Sequence, residues 1–344
     1  MRLAVVGFGG VGRAFVELLV LKRSLLYDEG LDIKVNYVIN SRAGVYAPDG
    51  IDCASLIKFI QKDNDLSHYK NGGSKNINFD SIMNKKDIDV LVEMTPTNKE
   101  TGEPGMTYVK RALENGIHVI TSNKGPIMLA YKKLNMLAAR HSVQLGIGCT
   151  SGGALPTVNG GLIDMAGSAI LSIEGVLNGT TNYILEQMEQ EGITYHEALK
   201  KAMEIGIAEA DPTLDVEGWD TASKLLILTN ILMNEEKTIE DVSVEGITGI
   251  TPEQIEQAKQ EGKKYKLVGR TQNKAGALYM TVRPEKLDEW HPLYRIDGKN
   301  KAVRYVSDTL GDLTISGGAS GVTPAAASIL RDLINIHRGY RYSR

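Results

Sequence analysis

Between Ala202 and Lys224 the chain reads AMEIGIAEADPTLDVEGWDTASK, which sets Glu209, Asp211, Asp215, Asp220 and Lys224 among apolar neighbours. Carboxylates beside a lysine can move a proton and hold an ammonium group, so acid–base chemistry on a small polar molecule is what this stretch offers. Asp211-Pro212 interrupts it, because the residue before proline is pushed out of the helical region and proline donates no backbone hydrogen bond. One helix should therefore end before Asp211 and a second begin near Glu217. In the second, Asp220 and Lys224 stand four apart on one face. Trp219, Ala222, Leu225, Leu226, Ile227, Leu228, Ile231 and Leu232 make the other faces apolar, the pattern of a buried helix. Such spacing on an exposed helix would be an ordinary solvated ion pair. Burial changes the reading, since charge taken out of water is costly unless it is paired or used.

The N-terminus offers a second chemistry. Arg2 to Val6 is a short apolar run that ends in Gly7-Phe8-Gly9-Gly10-Val11-Gly12 and turns helical through about Leu21. Strand, glycine turn and helix in that order make a dinucleotide-binding unit. Gly7 makes the tight turn, Gly9 lets a pyrophosphate approach the backbone, Gly12 permits close helix packing, and the helix N-terminus supplies amides and a positive dipole end. The second strand, Ile33 to Ile39, ends in Asn40, Ser41 and Arg42, where an acid would bind a bare ribose. Ser41 and Arg42 suit a 2′-phosphate instead, which favours NADP and leaves NAD open. Lys58, on the amphipathic segment Cys53 to Lys62, is a weaker candidate for the same phosphate.

Two further strands, Asp89 to Met94 and His118 to Thr121, flank a helix near Pro104 to Asn115 and lead into Thr95-Pro96-Thr97 and Ser122-Asn123-Lys124-Gly125-Pro126. In a parallel sheet both loops lie at the carboxyl edge, where ligands bind, so Thr95, Pro96, Ser122 and Lys124 are cofactor candidates. The stretch Asp63 to Asp80 reads as an exposed loop. A helix over about Met128 to His141 and a strand Val143 to Ile147 then precede Gly148-Cys149-Thr150-Ser151-Gly152-Gly153-Ala154-Leu155-Pro156, whose glycines free backbone groups to face a ligand or a hard cation. Cys149 also admits a sharper reading, the nucleophile of an acylating aldehyde dehydrogenase, against plain packing in a tight loop.

Beyond Pro156 the pattern becomes that of a second domain. Ser172 to Leu177 is a strand entering Asn178-Gly179-Thr180-Thr181-Asn182, a turn polar enough to make Asn178 and Thr180 substrate candidates. Thr194 with Glu197 and Thr251 with Gln254 open helices as capping boxes. Lys266 to Thr271, Ala277 to Arg283 and Ala302 to Ser307 alternate as strands with one wet face.

Composition narrows the class. With 344 residues, 42% hydrophobic, 24% charged and a net charge of -3, the chain is a globular protein of two domains with no basic surplus for nucleic acid. Two cysteines cannot form a disulfide framework, and no run spans a bilayer. The glycines interrupt the N-terminal apolar run, so it does not read as a signal peptide, and a cytoplasmic location is expected.

Taken together, these segments resemble homoserine dehydrogenase over essentially the whole chain. They are the N-terminal glycine turn, TSNKGP at 121–126, the glycine loop before Leu155-Pro156, LNGTTNYIL from 177, the 202–224 stretch, and GGASGVT at 317–323. The 202–224 stretch is the most specific, in its order of Gly206, Glu209, Asp211-Pro212, Asp215, Gly218, Asp220 and Lys224. The resemblance implies an α/β protein: an N-terminal Rossmann domain (1–132 and 308–344) plus an α+β catalytic and dimerisation domain (133–307), with the C-terminal helix returning to the Rossmann domain. It implies reversible NAD(P)-linked interconversion of L-homoserine and L-aspartate 4-semialdehyde in threonine, methionine and isoleucine synthesis, by a homodimer.

Residue by residue, the resemblance makes Lys224 the proton-transfer lysine, Asp220 its partner, and Lys124 the lysine near the nicotinamide and the reacting oxygen. It places Glu209 and Asp215 near the substrate and Ala319 at the cofactor, where some relatives have glycine. Gly148, Ser151, Gly153 and Leu155 fall where relatives bind a monovalent cation, Na or K, through backbone carbonyls, although relatives usually carry a glutamate at the position of Gly148. An end at Arg344 leads one to expect no added regulatory domain. The chemistry needs a base within reach of a carbinol hydroxyl while hydride leaves the carbon. Two lysines can divide proton transfer and polarisation between them, and sequence does not say which does which. A sensor that binds NADP without turnover is the remaining alternative.

Overall fold

The computed structural model describes residues 1–274 and 276–341, and they divide into two compact units, Met1–Ala154 with the C-terminal stretch from Gly321, and Leu155–Ser320. In chain order the first unit begins with β1 (Arg2–Val6), α1 (Gly10–Leu21), α2 (Arg23–Asp28), β2 (Lys34–Ile39), β3 (Gly44–Tyr46), α3 (Cys53–Ile60) and β4 (Gly73–Ser74). It continues with α4 (Phe79–Lys85), β5 (Val90–Glu93), α5 (Gly105–Glu114), β6 (His118–Thr121), α6 (Lys124–Arg140), β7 (Leu145–Gly146) and α7 (Cys149–Gly152). The sheet runs β4-β3-β2-β1-β5-β6-β7, with β2, β1, β5, β6 and β7 parallel and β3 and β4 antiparallel at one edge.

The apolar strands follow from that order. Leu3, Val5, Leu91, Val92, Val119 and Ile120 are fully buried, as expected where helices cover both faces of a parallel sheet. Strand order reverses at β1, so the carboxyl ends of β1 and β5 border the crevice in which such sheets bind nucleotides. This is the Rossmann arrangement read from the sequence.

The second unit holds α8 (Thr157–Asn159), β8 (Ile170–Val176), α9 (Gly179–Glu191), α10 (Tyr195–Glu204), α11 (Thr213–Val216), α12 (Trp219–Leu232), β9 (Val242–Val244) and α13 (Pro252–Gln260). Four strands complete it: β10 (Lys263–Lys274), β11 (Ala277–Asp288), β12 (Lys301–Ser307) and β13 (Asp312–Gly317). They form a sheet ordered β13-β12-β8-β10-β11-β9, antiparallel apart from the β9–β11 pair. Helix α12 lies on β8 and β10 with Thr221 to Ser223 and Leu225 to Leu232 buried, which explains its nearly continuous apolar surface. Gly269 of β10 allows the approach, since a Cβ there would stand 3.0 Å from Thr221 Cγ2. The expected capping boxes open α10 and α13.

Finally α14 (Val322–His337) returns to the first unit, packing on α1, β6 and β7. The unit boundaries differ from those read in the sequence. The division falls after Ala154 and after Ser320, not at 132 and 307, because β7 pairs with β6 in the first sheet and β13 pairs with β12 in the second. Local patterning could not show which sheet a short strand joins. Helix α6 begins at Lys124, where Asn123 caps it by accepting from the Gly125 amide at 3.0 Å, and it is broken at Ala130 (φ -151°, ψ 24°), so the helix expected from about Met128 corresponds to its second part. The expected loop over 63–80 contains β4 and the start of α4.

Candidate active site

Each compact unit carries its own part of the chemistry. In the first, Gly7 sits at φ 97° and a Cβ on it would fall 2.5 Å from the Met94 carbonyl group. A Cβ on Gly12 would fall 2.2 Å from the Gly7 oxygen. Both glycines are therefore demanded by the protein's own backbone. Gly9 is different. It has ordinary extended geometry as the N-cap of α1, with no side chain capping the helix, and nothing within 4 Å of where its Cβ would be. Open space over an uncapped helix N-terminus is what a pyrophosphate needs, so the turn fits a dinucleotide.

At the end of β2, Asn40 Oδ1 accepts from the amides of Arg42 at 2.8 Å and Ala43 at 3.0 Å, a local turn that leaves the Ser41 and Arg42 side chains exposed. Lys58 is also exposed, on α3. The loops after β5 and β6 are joined through a residue the sequence reading passed over. Glu93 is fully buried; its Oε1 accepts from the Thr95 amide at 2.7 Å, from the Thr95 hydroxyl and from Asn123 Nδ2 at 3.5 Å. Its Oε2 accepts from the Thr121 hydroxyl at 2.6 Å. Burial raises its pKa above the usual carboxylate range, against those hydrogen bonds. The signal was a glutamate closing an otherwise apolar strand. Lys124 follows directly, half-buried as the first residue of α6.

In the second unit the 202–224 stretch folds as expected. Helix α10 ends ahead of Gly206 (φ 71°), and α12 starts at Trp219 after Gly218 (φ 88°). Lys224 Nζ lies 2.6 Å from Asp220 Oδ2, the two side chains 15% and 13% exposed, and donates to the Leu177 carbonyl at 2.7 Å. Asp220 stands in the first turn of α12, where the helix dipole favours a carboxylate. Asn178 Nδ2 donates to Asp215 Oδ1 at 2.7 Å and to Asp220 Oδ2 at 2.9 Å. Its Oδ1 accepts from the Thr181 amide at 3.0 Å and caps α9. Thus Lys224, Asp220, Asn178 and Asp215 form one chain of contacts.

Thr180 donates to the Ile207 carbonyl at 3.2 Å, tying α9 to the turn before Glu209, and Glu209 itself is exposed. Asn178 acts as a brace between two acids. Its removal deletes an N-cap worth about 1 kcal/mol and bonds to charged groups worth about 1.5–3 kcal/mol each. Asn178→Ala should therefore unfold at lower urea and lose turnover in its folded state. Normal kcat in the folded variant would reduce Asn178 to scaffolding.

The glycine loop is more occupied than its composition suggested. Asp332 of α14, fully buried, accepts from the Gly148 amide at 2.7 Å. Arg331 donates to the Ala154 carbonyl at 3.2 Å and to Ser328 Oγ at 2.6 Å, and the Leu155 carbonyl accepts from the Thr157 amide at 2.8 Å. Arg331 thus meets the loop at Ala154 and Asp332 meets it at Gly148, so α14 holds both ends of the run that contains Gly148, Ser151, Gly153 and Leu155. Cys149 is buried, with Sγ donating to the Ala325 carbonyl at 3.5 Å, as packing in a tight loop would have it. Ala319 is exposed in the loop after β13. Among the described residues no helix is long and apolar enough to cross a membrane.

A dinucleotide turn on a parallel sheet, in a chain whose second unit carries a lysine–carboxylate cluster, defines a nicotinamide-dependent oxidoreductase. Residues 7–147 match the model of the homoserine dehydrogenase NAD-binding domain and residues 156–334 that of homoserine dehydrogenase. A homoserine dehydrogenase of Methanocaldococcus jannaschii is 39% identical, covering 98% of each chain. An NAD(+)-dependent homoserine dehydrogenase of Pseudomonas canavaninivorans is 36% identical, over 98% of this chain and 96% of its own. A crystal structure from Archaeoglobus fulgidus matches with a TM-score of 0.88 at 34% identity, over 98% of this chain and 99% of that one. The chain belongs to the homoserine dehydrogenase family.

Proposed function

We propose that the protein interconverts L-homoserine and L-aspartate 4-semialdehyde with Lys224 as the proton-transfer group, and that NADP(H) is its preferred cofactor. One observation carries the assignment: a lysine ion-paired at 2.6 Å on a buried helix, braced through Asn178 to a second acid. The nicotinamide ring, when bound, accepts or supplies the hydride. In the reducing direction the Lys224 ammonium gives a proton to the aldehyde oxygen as hydride reaches the carbon. In the oxidising direction neutral Lys224 takes the hydroxyl proton. Asp220 and the Leu177 carbonyl hold Nζ in place meanwhile; the family resemblance gives Lys124 the role of polarising the reacting oxygen. Glu209 and Asp215 hold the substrate's ammonium group.

A monovalent cation on the carbonyls of Gly148, Ser151, Gly153 and Leu155 is a further part of the family resemblance, and no step above is routed through it. A homodimer built through the second unit is part of the proposal, and sedimentation of the purified chain tests it. The reaction itself is tested by following nicotinamide absorbance with L-homoserine and each of NADP and NAD. Absence of turnover with both would overturn the assignment.

The cofactor preference rests on Arg42, exposed after β2 in a turn held by Asn40. Charge-assisted bonds to a 2′-phosphate are worth about 1.5–3 kcal/mol, so Arg42→Ala should weaken NADPH binding by roughly 10- to 100-fold. NADH binding should barely change. Equal losses for the two cofactors, measured by fluorescence titration, would remove Arg42 from the phosphate site.

A further inference from the structure

The buried carboxylate at the end of β5 has no part in the mechanism above, yet its contacts join two loops that have. Oε1 of Glu93 holds the amide and hydroxyl of Thr95 in the loop after β5, and Oε2 holds the hydroxyl of Thr121 at the end of β6. The same hydroxyl oxygen accepts from the Asn123 amide at 2.9 Å. Asn123 in turn donates to Thr95 Oγ1 at 3.3 Å and to the Pro96 carbonyl at 3.5 Å, and caps α6 at Gly125. Neighbouring strands alone would leave the two loops free to move separately beyond their last ladder pair, Glu93 with Thr121. The side-chain network carries the join past that pair, into the cofactor candidates Thr95 and Pro96 and to the residue before Lys124.

A fully buried carboxylate is costly in a strand that could have ended in valine. Its carboxylate accepts from Thr95, Thr121 and Asn123, donors from the loop after β5, the end of β6 and the loop that follows it, which is the arrangement of a group retained for the geometry it imposes. Space is tight as well: a Cβ on Gly105 would stand 2.5 Å from Asn123 Nδ2, so α5 leaves room for Asn123 in this one place.

We infer that Glu93 is a positioning residue, which locks the loops after β5 and β6 together and thereby sets the cofactor-binding groove and the start of α6 at Lys124. The inference rests on the reading of Lys124 as a group beside the reacting oxygen, and the two can fail separately. Glu93→Gln keeps the shape and one acceptor but turns the other into a donor facing the Thr121 hydroxyl. It should raise the KM for NADPH and lower kcat, each by about tenfold, and leave the KM for the amino-acid substrate near that of the parent chain.

Should Glu93→Gln fail to fold, the pair Thr121→Val and Thr121→Ser reads the same network from the other side. Valine keeps the volume and loses the hydroxyl; serine loses a methyl and keeps the hydroxyl. Positioning through Glu93 predicts a cofactor KM several-fold higher for Thr121→Val and restored for Thr121→Ser. Mere packing predicts the reverse, with serine the poorer variant, and that result overturns the inference. A double variant separates the two readings. If Lys124→Ala alone keeps full activity, the role of Lys124 is wrong. If Lys124→Ala is impaired but its effect and that of Glu93→Gln on kcat simply multiply, Glu93 does not act through the start of α6 and the inference falls.

Discussion

Lys224→Ala should lower turnover by about 10²- to 10⁴-fold, the usual worth of a positioned acid or base. NADPH affinity should stay near that of the parent chain, because Lys224 belongs to the second compact unit and the dinucleotide turn to the first. The competing expectation is structural. Removing one member of a buried pair strands the other and costs roughly 3–5 kcal/mol, and Asp220 at 13% exposure is open to that penalty. The second contact of Nζ, to the Leu177 carbonyl at 2.7 Å, would be lost as well.

The two effects separate when Asp220→Asn is combined with Lys224→Ala. Neutralising the acid relieves the stranded charge and Asn can still meet Asn178, so the double variant should regain melting temperature. It should not regain turnover, since no group remains to carry the proton. Recovery of stability and activity together would make Lys224 scaffolding and sink the mechanism. Melting temperature and kcat of the three variants, measured side by side, decide it.

A valine at Gly9 should abolish cofactor binding in a protein that still folds. Its backbone is extended and nothing lies within 4 Å of the added Cβ, so the fold has no reason to object. The branched side chain would occupy the space through which a pyrophosphate reaches the amides at the start of α1. A loss of at least about 100-fold in NADPH affinity is expected, or some 2.7 kcal/mol, with the melting temperature of the ligand-free protein near that of the parent chain. Gly12→Val offers the contrast. Its Cβ would stand 2.2 Å from the Gly7 oxygen, so that variant should lose stability before any ligand is added. Normal NADPH binding by a folded Gly9→Val variant would mean that the pyrophosphate does not lie over this turn.

Much of the protein was legible in its sequence, because the features that carry it are local. A glycine turn between a strand and a helix, a proline that stops a helix, and an ion pair four residues apart on an apolar helix are each written within a few consecutive residues. Their physical meaning depends on backbone sterics and helical period alone. Tertiary structure decided the rest. Glu93 reads as one more residue of an apolar strand, and only the pairing of β5 with β6 brings Thr121 and Asn123 to its carboxylate. Asn178 reads as a ligand, and only the packing of α9 beside α11 turns its amide onto Asp215 and Asp220. The glycine loop reads as backbone left open to a ligand, and only the return of α14 from a distant part of the sequence brings Arg331 to the Ala154 carbonyl and Asp332 to the Gly148 amide. The unit boundaries moved for the same reason: which sheet β7 and β13 join is a matter of partners distant in sequence. A residue's type states which hydrogen bonds and charges it offers; which groups answer them is settled by contacts between segments that the local pattern does not record.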